Sequence, residues 1–335
     1  MQKQDIRIVF MGTPAFAVAS LETLLAEGYN VIGVVTMPDK PAGRGHKVQY
    51  SAVKTCALQH GLPLLQPEKL RDETFLEALR AWHADLQIVV AFRMLPEVVW
   101  AMPRMGTFNL HAALLPQYRG AAPINWAVIH GDKVTGVTTF FLDQQIDTGR
   151  IILKEAVEIL DTDDAGAVHD RLMEVGRHVV VRTVDLLLAA DGDVSALTTQ
   201  PQDELIADLK HYTGISELRP APKIFKEDCL LSFDQNVRAV HNRVRGLSPA
   251  PAAWTTLGTF SPVKVFRTEV VTEGIPQPQD TIGRFSTDGK TFLHVVCADG
   301  ILALQEIQLP GKRRMDIQAA LNGYGAALEE ALNPC

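Results

Sequence analysis

The 335-residue chain lacks most of the features that would place it quickly. It has four cysteines, Cys56, Cys229, Cys297 and Cys335, with no paired spacing, which argues against a disulfide framework and against a cysteine-based zinc site. Its ten histidines show no ligand-like i, i+4 pairing with acidic neighbours, so no metal is expected. No apolar run approaches the length of a membrane span, and the start Met1-Gln2-Lys3-Gln4-Asp5 has no apolar signal region; the expectation is a cytoplasmic protein without membrane contact. Positive charge is also scarce. With 32 Lys and Arg against 39 Asp and Glu, the net charge is −7, which disfavours nucleic-acid binding by the molecule as a whole. The deficit is uneven, however: residues 1–219 carry 20 basic against 27 acidic groups, and residues 220–335 carry 12 against 12. A relatively basic second part is compatible with an RNA-facing surface, although a balanced segment is more often only a solvated one.

What is present is a sequence long enough for two cores, with 47% apolar and 21% charged residues. Ile6 to Phe10 reads as a strand, Gly12-Thr13-Pro14 as a turn, Ala15 to Ala26 as a helix stopped at Gly28, and Val31 to Thr36 as a second strand. Helices near Asp72 to Trp82 and Pro96 to Trp100 alternate with strands at Leu86 to Phe92 and Gly106 to Leu110. The series predicts a doubly wound, Rossmann-like α/β domain with a parallel sheet. It is not a dinucleotide site, because Gly12-Thr13-Pro14 lacks the second and third glycines that let a pyrophosphate approach. A long helix is expected from Val168 to Leu188, preceded by the acidic start Asp161 to Asp164. His169 and His178 on it read as structural or surface residues.

The chain then turns polar and irregular from Val194 to Arg219 and resumes at Pro220-Ala221-Pro222-Lys223. A helix near Asn236 to Arg245 precedes short alternating segments at Ala253 to Leu257, Val263 to Thr268, Phe292 to Val296 and Ile301 to Gln308, the pattern of a small β domain. The expected division is a catalytic domain at 1–193, a linker at 194–219 and a second domain at 220–330.

Polar chemistry concentrates at one strand end. Period-2 geometry puts Asn109 and His111 on the same side of the strand, at its carboxyl end, where open α/β sheets bind ligands. An amide donor beside an imidazole suits a tetrahedral oxyanion intermediate. Asp147, 36 residues beyond His111 in an Ile-Asp-Thr-Gly turn, is the carboxylate available to orient the ring.

Asn109-Leu110-His111, Leu114-Leu115-Pro116-Gln117-Tyr118-Arg119-Gly120 and Asp147-Thr148-Gly149 resemble the signature of folate-dependent formyltransferases. The resemblance runs over nearly the whole chain, from Gly12-Thr13-Pro14 through Pro38-Asp39-Lys40-Pro41-Ala42-Gly43-Arg44-Gly45 to Leu309-Pro310-Gly311-Lys312. It implies catalytic roles for Asn109, His111 and Asp147, and an OB-like β-barrel as the second domain. It implies 10-formyltetrahydrofolate as donor, the α-amino group of methionine on initiator Met-tRNA as acceptor, and no metal. The folate pocket would be formed by Ala113, Leu114, Leu115 and Pro116 with Phe92 and Met94. Many members have Gly-Ser after the histidine where this chain has Ala112-Ala113, so a serine contact to folate is absent and backbone contacts take its place. Lys40, Arg44 and Lys47, in a Gly- and Pro-rich loop, would meet the tRNA end. Lys223, Lys226, Arg243, Arg245 and Lys312-Arg313-Arg314 would extend the track. A monomer is the expected state. Two other readings remain at this level: the same catalytic set acting on a small amine or on water, and a non-catalytic RNA-binding protein, which would leave Asn109, His111 and Asp147 unexplained.

Overall fold

The structure is a computed structural model that describes residues 1–42, 47–205, 217–271 and 281–332. Two compact units emerge. The first comprises Met1–Gly120, Val134–Glu158 and His169–Ala221, the second Ala121–Lys133, Ile159–Val168 and Pro222–Cys335. The second unit thus draws on two short segments from the first half of the chain as well as on its last third.

In the first unit, β1 (Ile8–Gly12) is buried along its length between parallel neighbours, as its unbroken apolar run requires. It starts two residues later than the sequence suggests. Arg7 is diverted from the ladder, because its N–H donates to the Asp85 carboxylate at 2.9 Å and its carbonyl accepts from Asp85 N–H at 2.8 Å. Helix α1 (Ala15–Ala26) follows, ended by Gly28 at φ 79°, then β2 (Val31–Val35). The segment read as a cationic loop contains a hairpin, β3 (Lys40–Ala42) and β4 (Lys47–Gln49), with Pro41 opposite Val48. Its base is anchored by Asp39, whose carboxylate takes Lys54 at 2.5 Å and Gln66 at 2.9 Å. The hydrogen bond from Lys54 holds that carboxyl below its ordinary range.

Next come α2 (Ala52–Gln59), capped by Ser51, β5 (Leu64–Leu65), α3 (Glu73–Ala81), capped by Asp72, β6 (Leu86–Val90), α4 (Glu97–Trp100) and β7 (Thr107–His111). A short helix α5 (Pro123–Ile129), part of the second unit, precedes β8 (Val134–Phe141) and β9 (Ile151–Glu158) of the first, and α6 (Ala165–Ala189), of the first unit from His169 on, completes the series. The sheet order is β5-β2-β1-β6-β7-β8-β9. It is parallel through β7, and β8 and β9 extend it antiparallel. The doubly wound fold therefore ends in a meander whose β8 to β9 connection carries Asp147.

The polar stretch after α6 is less loose than its composition suggests. Gln202 is buried, Ile151 and Gln200 exchange both backbone hydrogen bonds at 2.9 Å, and Ala221 N–H donates to Arg119 carbonyl at 2.8 Å. All of these contacts lie within the first unit.

In the second unit α7 (Val237–Leu247), capped by Asn236, packs on an antiparallel sheet. The sheet contains β10 (Ala253–Leu257), β11 (Phe260–Val271), β12 (Phe285–Thr287), β13 (Leu293–Val296), β14 (Ile301–Gln308) and β15 (Met315–Asp316). The order is β10-β11-β14-β13-β12, with β15 on β14. Alternating inward residues, including Val263, Val265, Leu302 and Leu304, meet Val240, Val244 and Leu247 of α7 in one core. A helix not anticipated from the sequence, α8 (Ile317–Leu332), adds Ala320, Leu321 and Leu328 to it. This is the smaller, OB-like β-barrel unit.

Candidate active site

Strand β7 positions two of the three candidate catalytic residues. In register, Asn109 lies between Val89 of β6 and Phe140 of β8, and His111 lies opposite Thr138 of β8. His111 is buried, while Asn109 is partly exposed. The imidazole is tied at one nitrogen: Nε2 donates to the Tyr118 carbonyl at 2.8 Å. That bond requires the proton on Nε2 in the neutral ring and leaves the lone pair on Nδ1. Nδ1 faces Asp147 Oδ2 at 3.8 Å. The distance is beyond a good hydrogen bond, so the Nδ1 lone pair is not engaged by that carboxylate. Phe140 closes one side of the ring in an edge arrangement, centroids 6.5 Å apart.

The loop that supplies the Tyr118 carbonyl is itself fixed. Tyr118 has φ 59° and Gly120 φ 129°, and a Cβ on Gly120 would sit 2.4 Å from the Ala221 carbonyl oxygen, so only glycine fits. Buried Gln117 accepts from Arg219 N–H at 2.5 Å and donates to the Glu217 carbonyl at 2.8 Å. Segment 217–221 is thereby zipped onto 117–120, and Gly120 N–H is left to donate to Asp147 Oδ2 at 2.9 Å.

Asp147 has φ 56°, a left-handed conformation that Asp tolerates better than most residues. A Cβ on Gly149 would meet the Phe141 carbonyl oxygen at 1.7 Å, so the Asp-Thr-Gly sequence reflects a tight backbone approach. Sequence reasoning missed what holds this turn from outside. Gln202 Nε2 donates to the carbonyls of Asp147 and Gly149 at 2.9 and 2.8 Å, and Arg119 donates twice to Gln202 Oε1 at 2.9 and 2.7 Å. Gln202 lies 55 residues from Asp147 in a stretch without pattern, so no local signal could have found it; the Tyr-Arg-Gly motif flagged only Arg119.

The residues expected to hold folate divide by exposure. Ala113, Leu114, Leu115 and Pro116 are buried, and Leu115 packs with Phe140, Ile151 and Leu205. Thr138 Oγ1 donates to the Ala113 carbonyl at 2.7 Å and accepts from Leu115 N–H at 3.1 Å, so two of the backbone groups assigned to folate are already engaged. Phe92 is partly buried under the Arg93 guanidinium, and Met94 is 76% exposed.

Of the residues assigned to tRNA, Arg44 and the side chains of Lys40 and Lys47 lie outside the described residues. Several members of the extended track are engaged with protein groups, and the burial of Arg245 takes it off a phosphate-binding surface. Arg245 is buried and donates to the carbonyls of Asp163 and Leu160 and to Asn242. Arg314 pairs with both Glu306 oxygens at 2.7 Å, and Arg243 donates to the Asp228 carbonyl. Lys223 and Lys312 lie beside the rings of Phe225 and Tyr324, at 5.2 and 5.3 Å from their centroids.

Among the described residues one group of three potential metal ligands stands together: Glu22, Cys56 and His60, with donor atoms within 4.8 Å of one another. Burial pushes the Cys56 thiol up to about 11, which leaves it protonated and a poor ligand at neutral pH.

Residues 6–184 match the formyl transferase family model, and residues 223–325 match the formyl transferase C-terminal domain. The chain belongs to the formyl transferase family. Methionyl-tRNA formyltransferase of Bacteroides fragilis is 56% identical to this formyl transferase over 329 residues, 97% of each chain. That of Parabacteroides distasonis is 56% identical over 329 residues, with the same coverage. The sugar 3N-formyl transferase WlaRD, crystallised in the presence of dTDP and 5-N-formyl-THF, superimposes with a TM-score of 0.62 at 16% identity, covering 92% of this chain and 99% of its own. An N-formyltransferase from Helicobacter canadensis gives 0.62 at 17% identity over 89% and 98%. At that identity the structural likeness speaks for the fold alone.

Proposed function

We propose that this formyl transferase moves the formyl group of 10-formyltetrahydrofolate to the α-amino group of methionine on initiator Met-tRNA, in the cytoplasm and without a metal. The observation that carries the mechanism is His111: one ring nitrogen is tied to the Tyr118 carbonyl while the other faces Asp147. The acceptor is supported by full-length similarity to relatives named methionyl-tRNA formyltransferase.

Bound folate supplies an activated formyl carbon. The amine nitrogen attacks that carbon, a C–N bond forms, and the carbonyl electrons move to oxygen. Asn109 donates to the oxyanion, a contribution of about 3 to 4 kcal/mol for a well-aimed amide donor. His111 Nδ1 takes the proton released from the amine nitrogen, directly or through a water, and Asp147 stabilises the resulting imidazolium. Collapse breaks the bond between the formyl carbon and the folate nitrogen, which leaves with a proton returned from His111. Tetrahydrofolate and formyl-Met-tRNA are the products.

In this reading Met94 and Phe92 form the exposed wall of the folate pocket. Buried Ala113, Leu114, Leu115 and Pro116 shape it from behind. Lys40, Arg44 and Lys47 meet the tRNA end, and the second unit contributes further RNA contacts in a monomeric enzyme. The test offers acceptors one at a time: Met-tRNA, glycinamide ribonucleotide and an amino-sugar nucleotide, with formyl transfer from 10-formyltetrahydrofolate as the readout. Transfer to Met-tRNA alone is expected. Transfer to either small amine in its place would overturn the acceptor, and none to any acceptor would overturn the activity.

A further inference from the structure

The catalytic reading leaves unexplained a buried, fully satisfied amide behind the site. Gln202 uses both amide hydrogens on the carbonyls of Asp147 and Gly149, and its oxygen takes two hydrogen bonds from Arg119. The network fixes the amide orientation, because a flipped amide would set its oxygen against two carbonyls and its nitrogen against a guanidinium. The residue between the two bonded carbonyls is Thr148, whose hydroxyl donates to Asp143 at 2.7 Å, and Asp143 also accepts from Gln145 N–H at 3.0 Å. The turn is therefore braced by Asp143 on its exposed side and by Gln202 on its buried side.

Bracing is needed because Asp147 sits in the left-handed region at φ 56°, where a residue persists only if its surroundings hold it. Its Oδ2 must at the same time accept from Gly120 N–H at 2.9 Å and stay 3.8 Å from His111 Nδ1. Relaxation of the turn would move the carboxylate by a fraction of an ångström to an ångström relative to the ring. Arg119 connects the two halves, since the residue that grips Gln202 directly precedes Gly120 and follows Tyr118, the partners of Asp147 and His111.

We propose that Gln202, gripped by Arg119, is a positioning residue for formyl transfer, holding Asp147 where it stabilises the charge His111 gains when it takes up the proton of the amine. The proposal rests on the reading that Asp147 acts in formyl transfer. Gln202 does not touch substrate, so its loss should act on turnover and only through Asp147.

The test is a double-mutant cycle on the full-length enzyme with Gln202→Met, which keeps length and volume but removes both donors and the acceptor. A displacement of this size is expected to lower kcat by about 10- to 100-fold. KM for Met-tRNA and for 10-formyltetrahydrofolate should stay within about twofold. In an Asp147→Asn background the same substitution should change kcat by less than about twofold, since the group it positions is already disabled. Arg119→Lys, which keeps one donor toward Gln202, should retain more turnover than Arg119→Met, and this pair carries the cycle if Gln202→Met does not fold. Equal losses in both backgrounds would mean a general structural role and overturn the proposal. So would unchanged turnover in Gln202→Met while Asp147→Asn is impaired. Unchanged turnover in Asp147→Asn would remove the catalytic reading itself, and this is read from the single mutant alone.

Discussion

His111 and Arg245 are both buried polar side chains, and they are held in opposite ways. Arg245 is satisfied on every side the structure shows, by the carbonyls of Leu160 and Asp163 and by the Asn242 amide oxygen. His111 is held at Nε2 and left at Nδ1 with a carboxylate just out of hydrogen-bond range. A group that only stabilises a fold gains from completing its hydrogen bonds, because each unpaired buried polar atom costs about 1–3 kcal/mol. A group that must accept a proton needs one position open. The incompletely bonded side chain is the better candidate for chemistry, and charge or residue type alone would have ranked the two the other way for RNA contact.

The largest expected effect breaks the open side of this comparison. His111→Ala or Asn109→Ala should lower formyl transfer by roughly a hundredfold or more, measured as single-turnover rates. The thermal midpoint should move little for Asn109, which is partly exposed, and more for His111, whose removal takes a buried hydrogen bond from the Tyr118 carbonyl. Near-normal turnover in both variants would end the assignment.

Arg245→Met tests the closed side. It removes one donor from each of the Leu160 and Asp163 carbonyls, Leu160 keeping its bond from Asp163 N–H at 3.0 Å, an expected loss of about 1–3 kcal/mol in denaturant unfolding, with KM for Met-tRNA unchanged in the folded protein. A KM that rose with salt-sensitive tRNA binding, at unchanged stability, would return Arg245 to the RNA surface.

How much of this was legible in the sequence depends on how local each signal was. Strands β1, β2, β6 and β7 are short, largely apolar runs whose burial on both faces leaves its mark residue by residue, and Asn109 and His111 stood in a compact motif, with Asp147 in an Asp-Thr-Gly turn 36 residues on. The hairpin at Lys40 to Gln49 was missed because Pro41 and the surrounding glycines read as breakers, although an edge position tolerates proline. Helix α8 was missed although Asp316 caps it, its carboxylate accepting from Ala319 N–H at 2.8 Å, because Gly323 and Gly325 within it weaken the helical pattern. The internal pairing of Arg245 and Arg314 was not visible for a different reason. Their partners, Asp163 and Glu306, come from other elements, and whether a cation is spent internally is decided by tertiary pairing, which composition does not encode. Gln202 belongs to the same class.

A third group, partly buried in the second unit, ties stability to pH. Burial, helped by Arg245 and Arg238 and opposed by Asp161, pushes His241 down to about 4, and Nδ1 lies 2.9 Å from the Thr268 hydroxyl. The folded ring stays neutral where an unfolded one, with a value near 6.5, would take up a proton. The unfolded state therefore binds more protons between those values, and stability falls as pH drops from about 6.5 towards 4 and levels off below. Allowing for solvent reaching a ring that is not fully buried, the loss at pH 4 is about 2 kcal/mol. His241→Gln should flatten that part of the stability profile, and an unchanged slope would show that the ring is not the group responsible.

The smallest expected effect concerns a cation that is paired but not buried. Arg314 meets both Glu306 oxygens at 2.7 Å, and the two side chains are 40% and 23% exposed. A pair in such surroundings contributes about 1 kcal/mol or less, because solvent and salt screen it. Arg314→Ala should therefore lower stability only slightly. It should also leave the salt dependence of Met-tRNA binding unchanged, since a guanidinium already neutralised by a carboxylate releases few counterions from phosphate. The contrast is with Arg44→Ala and Lys47→Ala together, which should weaken tRNA use more than folate use and make the salt slope shallower by about one to two. If Arg314→Ala flattened the slope as much as the pair at 44 and 47, the Glu306 bridge would have to open on binding, and the division between committed and available cations would fail at that residue.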